Sequence, residues 1–172
     1  IDYVVYDPID PDPSRRYKGW VAMNPGGQPY KQPVVSDGLT WKKLEVPAIP
    51  NDINDGNLSF DLENRLFIGG LEMSGPYGRA WAITTSRDFE HWSEPKLVFH
   101  ADELDQQLGR EQIEKRLADP AMLPLATNKP DQYRVNVYNM GVFRYESLYI
   151  GLPAMFHETG DNDGFMIVQL TC

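Results

Sequence analysis

Three stretches of this chain share one internal plan, and that repetition limits the fold more than any other feature. "YVVYD" (residues 3–7) is followed by "RYKGWVAM" (16–23), "NLSFD" (57–61) by "RLFIGGLEM" (65–73), and "GVFRYE" (141–146) by "LYIGLPAMF" (148–156). Each pair is a short apolar and aromatic run ending in an acid, a turn, and a second run of the same kind. Short β-branched and aromatic runs bounded by Pro, Gly, Asn, Asp or Ser read as strands, so each pair predicts a hairpin. A third strand follows in each copy, around residues 32–36, 79–86 and 165–171.

A second repeat lies within the first. "VVSDGLTWKK" carries Asp37 and Trp41, and "TTSRDFEHWSEP" carries Asp88 and Trp92, fifty-one residues further on. An Asp at the head of a short loop caps backbone N–H groups, while a Trp four residues later offers a large apolar surface. Both indoles are expected to be buried between neighbouring repeats, and "KLVF" (96–99) supplies a fourth strand. Four antiparallel strands repeated at about 50 residues are the signature of a β-propeller blade. The expected fold class is therefore all-β, a partial β-propeller of one domain over 1–172. Its blades fall near 1–50, 51–99 and 136–172, with a helical insertion near 100–120. Leu104, Leu108, Ile113 and Leu117 recur mostly every fourth residue there, and Glu111 stands four before Lys115, as a helix requires. Gly109 weakens that helix locally. The repeat spacing would place a third Asp-to-Trp turn just past Cys172. The expectation is thus a piece of a larger ring, since propellers close with about 4–8 blades, or a ring that a second copy completes.

Sixteen Lys and Arg stand against twenty-five Asp and Glu, a formal charge of −9 with no basic tract. Nucleic acids and anionic membranes select clustered cations, so neither is an expected partner. No apolar run reaches the roughly 20 residues of a membrane span. Cys172 is the one cysteine, which leaves no internal disulfide and no cysteine-based metal site or nucleophile. His91, His100 and His157 lack ligand spacing for zinc. "ETGDNDGF" has the acids of a calcium loop without its closing Glu, and falls where two strands must be joined. No metal or other cofactor is expected, and the compartment is left open.

"DPDPSRRYKGW", "SDGLTW", "SRDFEHWSEPKLVF" and "VYNMGVFRYESLYIGLP" resemble bacterial relatives of the five-bladed propeller glycoside hydrolases of families 32 and 43. The resemblance covers nearly the whole chain and rests on scaffold motifs. It implies hydrolysis of a glycosidic bond in a carbohydrate, with three carboxylates around a central funnel. Such chemistry needs a protonated acid at the leaving oxygen and a second carboxylate as base or nucleophile. By that resemblance "LADPAML" points to Asp119, "VVYDPI" to Asp7 and "NDGNLSFD" to Asp55 as candidate catalytic acids. Each has a plainer reading as a turn-capping aspartate. Arg16, with Arg15 and Lys18, could grip an anionic sugar or be a solvated strand-edge charge. Trp20 and Trp81 could stack on sugar rings or fill the core. The alternative to an enzyme is a glycan-binding or scaffold propeller without catalysis.

Overall fold

The repeats form sheets. The computed structural model describes residues 1–27, 29–50 and 55–171, apart from the Pro25 side chain. The first sheet contains β1 (Tyr3–Tyr6), β2 (Tyr17–Met23), β3 (Tyr30–Ser36), β4 (Trp41–Lys43) and the short β5 (Ile49–Pro50), which pairs with β3. The second runs in sequence order through β6 (Gly56–Asp61), β7 (Leu66–Gly75), β8 (Gly78–Ser86) and β9 (Lys96–Phe99). Helix α1 (Glu103–Ala118) precedes the third, made of β10 (Arg134–Tyr145), β11 (Leu148–Gly160) and β12 (Asp163–Val168). All pairings are antiparallel. The protein is all-β with one helix, as expected. Its third sheet has three strands among the described residues, and Thr171 adds only an isolated bridge to Gly151. The expected boundary at 50/51 and Cys172 lie outside the described residues.

The first strands of the sheets lie side by side, with β6 between β1 and β10. They run in the same sense. Tyr3 at the start of β1 and Asn139 halfway along β10 both reach Asp55, just before β6. Further along, Arg144 near the end of β10 and Tyr149 of the following strand meet Asp61 at the end of β6. One apolar core fills each junction. Trp20, Val35, Leu58, Phe67, Leu71 and Phe89 pack between the first two sheets, and Ile68, Trp81, Val137, Val142 and Met155 between the second and third.

The fully buried indoles are Trp20 and Trp81. Trp20 enters the neighbouring sheet over Gly69, where a Cβ would stand 2.0 Å from its ring; only glycine permits that approach. The two turn tryptophans are different from expectation. Asp37 accepts from the N–H groups of Leu39 and Thr40, both at 2.9 Å, and Asp88 from those of Glu90 and His91 at 2.9 and 2.8 Å. The caps form, but Trp41 and Trp92 are only half-buried. Trp92 rests edge-on against Trp20, with ring centroids 4.9 Å apart. It covers the junction that Trp20 fills.

Helix α1 forms where the spacing of Leu104, Leu108, Ile113 and Leu117 predicts it. Leu104, Leu108 and Leu117 are exposed, whereas Gly109 and Ile113 are buried. A Cβ on Gly109 would stand 2.0 Å from Val135 Cγ2, so this glycine is the point of closest approach to β10. Gln106 then pairs with the Val135 backbone through both amide atoms, at 2.8 Å each. Among the described residues no helix is long and apolar enough to cross a membrane.

Candidate functional site

A polar cleft opens where β1, β6 and β10 adjoin. Its volume is about 460 Å³, and it is lined by Asp2, Tyr3, Ala22, Asp55, Glu72, Arg79 and Tyr138. Asp55 precedes β6, so the start of that strand carries its carboxylate to the junction with β1 and β10. It accepts from the Tyr3 hydroxyl, from Asn139 Nδ2 at 2.7 Å and from the Gly56 N–H at 2.8 Å. A β-bulge between Val137 and Asn139 re-aims β10 here, a usual role for a bulge beside a site.

Glu72 comes from β7 and is buried. One of its oxygens accepts the Asp55 N–H at 3.3 Å and the other meets Arg79 Nε at 2.9 Å. Burial pushes its carboxyl pKa above the ordinary glutamate value, outweighing the Asp55 N–H and the Arg79 charge. Loss of hydration disfavours the charged form. The same cause acts on Lys31, a fully buried residue of β3 whose Nζ lies 5.4 Å from the centre of the Tyr3 ring. Its ammonium pKa is lowered by burial, against the pull of Asp2, Asp55 and Glu72. The Tyr3 hydroxyl is held well above its ordinary value by burial first and by Asp55 second.

Arg79 links this cluster to a second one. Its Nη1 approaches Glu158 Oε1 at 3.4 Å, and Glu158 also accepts from Arg134 at 2.8 and 2.9 Å and from Asn136 at 2.6 Å. The guanidinium of Arg79 stacks near the rings of Tyr138 and Phe156, at 5.3 and 5.8 Å. Two acids, Asp55 and Glu72, lead into the ion-paired series Glu72–Arg79–Glu158–Arg134.

Of the three aspartates singled out in the sequence, the cleft contains Asp55. Asp7 follows the other end of β1, buried and 3.0 Å from Lys18 Nζ, with its side chain also accepting the Ile9 N–H at 3.2 Å. Asp119 is exposed; it caps the C-terminus of α1 instead of lying on a strand, and accepts the Ala121 N–H at 2.9 Å in an Asx turn. Arg16 lies at the Asp7 end of the sheet, where its Nε donates to the Asp10 carbonyl at 3.3 Å. Lys18 is buried between Asp7 and Asp10, neither strand-edge nor solvated. Trp20 is sealed between sheets, so neither it nor Arg16 reaches the cleft. Glu72, Lys31, Arg79, Asn139 and Glu158 escaped the sequence reading. The available signal was a polar residue at a buried strand position, as with the Glu in "FIGGLEM".

Three antiparallel sheets, with a carboxylate cleft where β1, β6 and β10 adjoin, define the structural class. No protein-family model matches the chain, and no curated protein matches it. Among solved structures it is similar to an N-acetylgalactosamine deacetylase from F. plautii, determined in complex with blood group B trisaccharide. The identity is 11% and the TM-score 0.57, over 98% of this chain and 48% of that one. At that identity the likeness is one of fold. The chain spans about half the length of that enzyme.

Proposed function

We propose that the protein acts on carbohydrates through the Asp55–Glu72 cleft, and that it is built as part of a five-bladed propeller related to glycoside hydrolase families 32 and 43. The observation that carries this reading is the pair itself, two carboxylates of unlike surroundings, Asp55 just before β6 and Glu72 on β7, lining one cleft. Burial favours the protonated form of Glu72, as a proton donor to a leaving oxygen requires. Asp55 is held as an acceptor by Tyr3, Asn139 and Gly56, so its orientation is set before any ligand arrives. Hydrolysis of a glycosidic bond then uses Glu72 as acid and Asp55 as base or nucleophile. The F. plautii neighbour was determined with a bound trisaccharide, which supports a sugar ligand here.

The propeller reading draws support from the outer face of the third sheet. Tyr145, Leu148, Leu152, Met166 and Val168 share that face by strand register and are all exposed, as the face of a blade awaiting its neighbour would be. A binding propeller without catalysis is the second reading. It is favoured by Asp55 and Glu72 both being engaged by protein donors.

The test is turnover of a panel of aryl glycosides and neutral tetrasaccharides. Asp55→Asn and Glu72→Gln should each lower the rate by about 10²-fold or more, the scale of a lost acid or base. Asp119→Asn should leave it unchanged. Equal loss in all three variants would remove the assignment, and sugar binding without turnover would favour the second reading.

A further inference from the structure

At the same end of the molecule, beyond the Arg79–Glu158 contact, lies a second polar hollow of about 590 Å³. Tyr77, Gln106, Gln132, Tyr133, Arg134 and Glu158 are among its lining residues. Its outer wall belongs to α1 and to the segment before β10, both outside the repeated strands.

That wall is fixed. Gln106 is bonded twice to Val135, and Asp102 and Asp105 close a reciprocal cap on the first turn of α1. Tyr133 has the Arg110 guanidinium 5.1 Å from its ring centre, and its hydroxyl donates to Asn128 at 2.5 Å. Arg134 is 43% exposed while holding both oxygens of Glu158. The two charges offset each other, leaving the exposed Gln132 amide, whose Oε1 holds the Asp161 N–H at 3.0 Å, and a half-buried aromatic ring to meet a ligand. Asp131 and Asp161 also line the hollow, and Asp161 is already paired with Lys129 at 2.6 Å. A neutral, hydroxyl-rich unit with an apolar ring face matches this lining; an anionic one meets uncompensated Asp131.

We propose that this hollow is a second sugar subsite, so that the ligand is a neutral oligosaccharide with one unit in the Asp55 cleft and another against Tyr133. This rests on the carbohydrate reading above and specifies its substrate class. The insertion between the second and third sheets thereby becomes a specificity element.

The test is calorimetric titration with xylo-, cello-, malto- and arabino-tetraose, the matching monosaccharides, and tetragalacturonate. At least one neutral tetrasaccharide should bind about tenfold more tightly than its monosaccharide, the equivalent of one well-made contact set. Tyr133→Ala should remove most of that ratio and leave monosaccharide affinity unchanged, while Tyr133→Phe keeps the ring and retains it. Gln132→Ala, an exposed change, should lower the ratio independently if Tyr133→Ala fails to fold. The proposal is overturned by equal affinity for one and four units, by no tetrasaccharide binding, or by a Tyr133→Ala loss shared equally by monosaccharides. Tighter binding of tetragalacturonate would overturn the neutral class. Length-dependent binding without turnover would sink hydrolysis and leave the subsite standing; turnover of aryl glycosides without length dependence would do the reverse.

Discussion

Asp61 illustrates how a single carboxylate can tie two sheets together. It sits at the end of β6, 3% exposed, and accepts from Tyr149 at 2.6 Å and from Asn64 at 2.7 and 3.0 Å, with Arg144 at 3.5 Å. Burial alone would raise its pKa, but those donors and the Arg144 charge outweigh it and bring the value down to about 2 from 3.8. The folded carboxylate therefore binds its proton less readily than the unfolded one. Its stabilising contribution is complete above the unfolded value and is lost as pH falls through the folded one. Urea midpoints measured from about pH 6 to pH 2 should decline in that window, and Asp61→Asn should flatten the decline. An unchanged acid limb in the variant would assign the loss to other groups. Asp61 reads in the sequence as a turn residue, and it is one. Its partner Tyr149 is eighty-eight residues away, beyond what any local pattern reveals.

At the scale of elements, the hairpins follow local chemistry and the helix does not. The turn between β11 and β12 places Asp161 and Asn162 at φ 54° and 59°, the left-handed pair that a tight hairpin turn needs and that Asp and Asn tolerate. "DND" was legible as a hairpin loop for that reason. In α1 the leucine spacing indicated a helix correctly, but which of its residues are buried depends on where β10 and β11 lie. Gly109, which lowers helix propensity, is what lets the helix seat on Val135. Gly109→Ala gains about 1 kcal/mol of intrinsic propensity and meets a clash with a Cβ-branched side chain in a packed junction. Overpacking of that kind costs about 1–3 kcal/mol, so the net change should be destabilising by chemical denaturation, with loss of the Gln106–Val135 bonds visible in amide exchange. A stabilised variant would mean that α1 docks more loosely than described.

The whole molecule has one face of its third sheet packed against the second sheet and part of the other face exposed. On the exposed face Tyr145, Leu148, Met166 and Val168 are each at least half accessible. A contiguous apolar surface of this kind marks an association surface. Light scattering over a dilution series should give a mass above that of one chain at high concentration, and Leu148→Lys with Val168→Lys should restore the single-chain mass. A single-chain mass at every concentration would show that the face tolerates water.

The sequence by itself determined the strands, the turns and their repetition, because these depend on side-chain period and on residues that favour or forbid particular backbone angles within a few positions. It also indicated Asp55, through the place of "NDGN" before a strand. It did not separate Asp55 from Asp7 and Asp119, since all three sit in similar Asp-Pro or Asp-Gly contexts. Only the tertiary structure decided that. Strands running in the same sense set the start of β6 beside the start of β1 and the middle of β10, so Asp55 meets Tyr3 and Asn139 while Asp7 is carried to the other end of β1. The same packing buries Glu72 and Lys31 beside Asp55, and burial, which alters their proton affinity, is a property of neighbours distant in the chain.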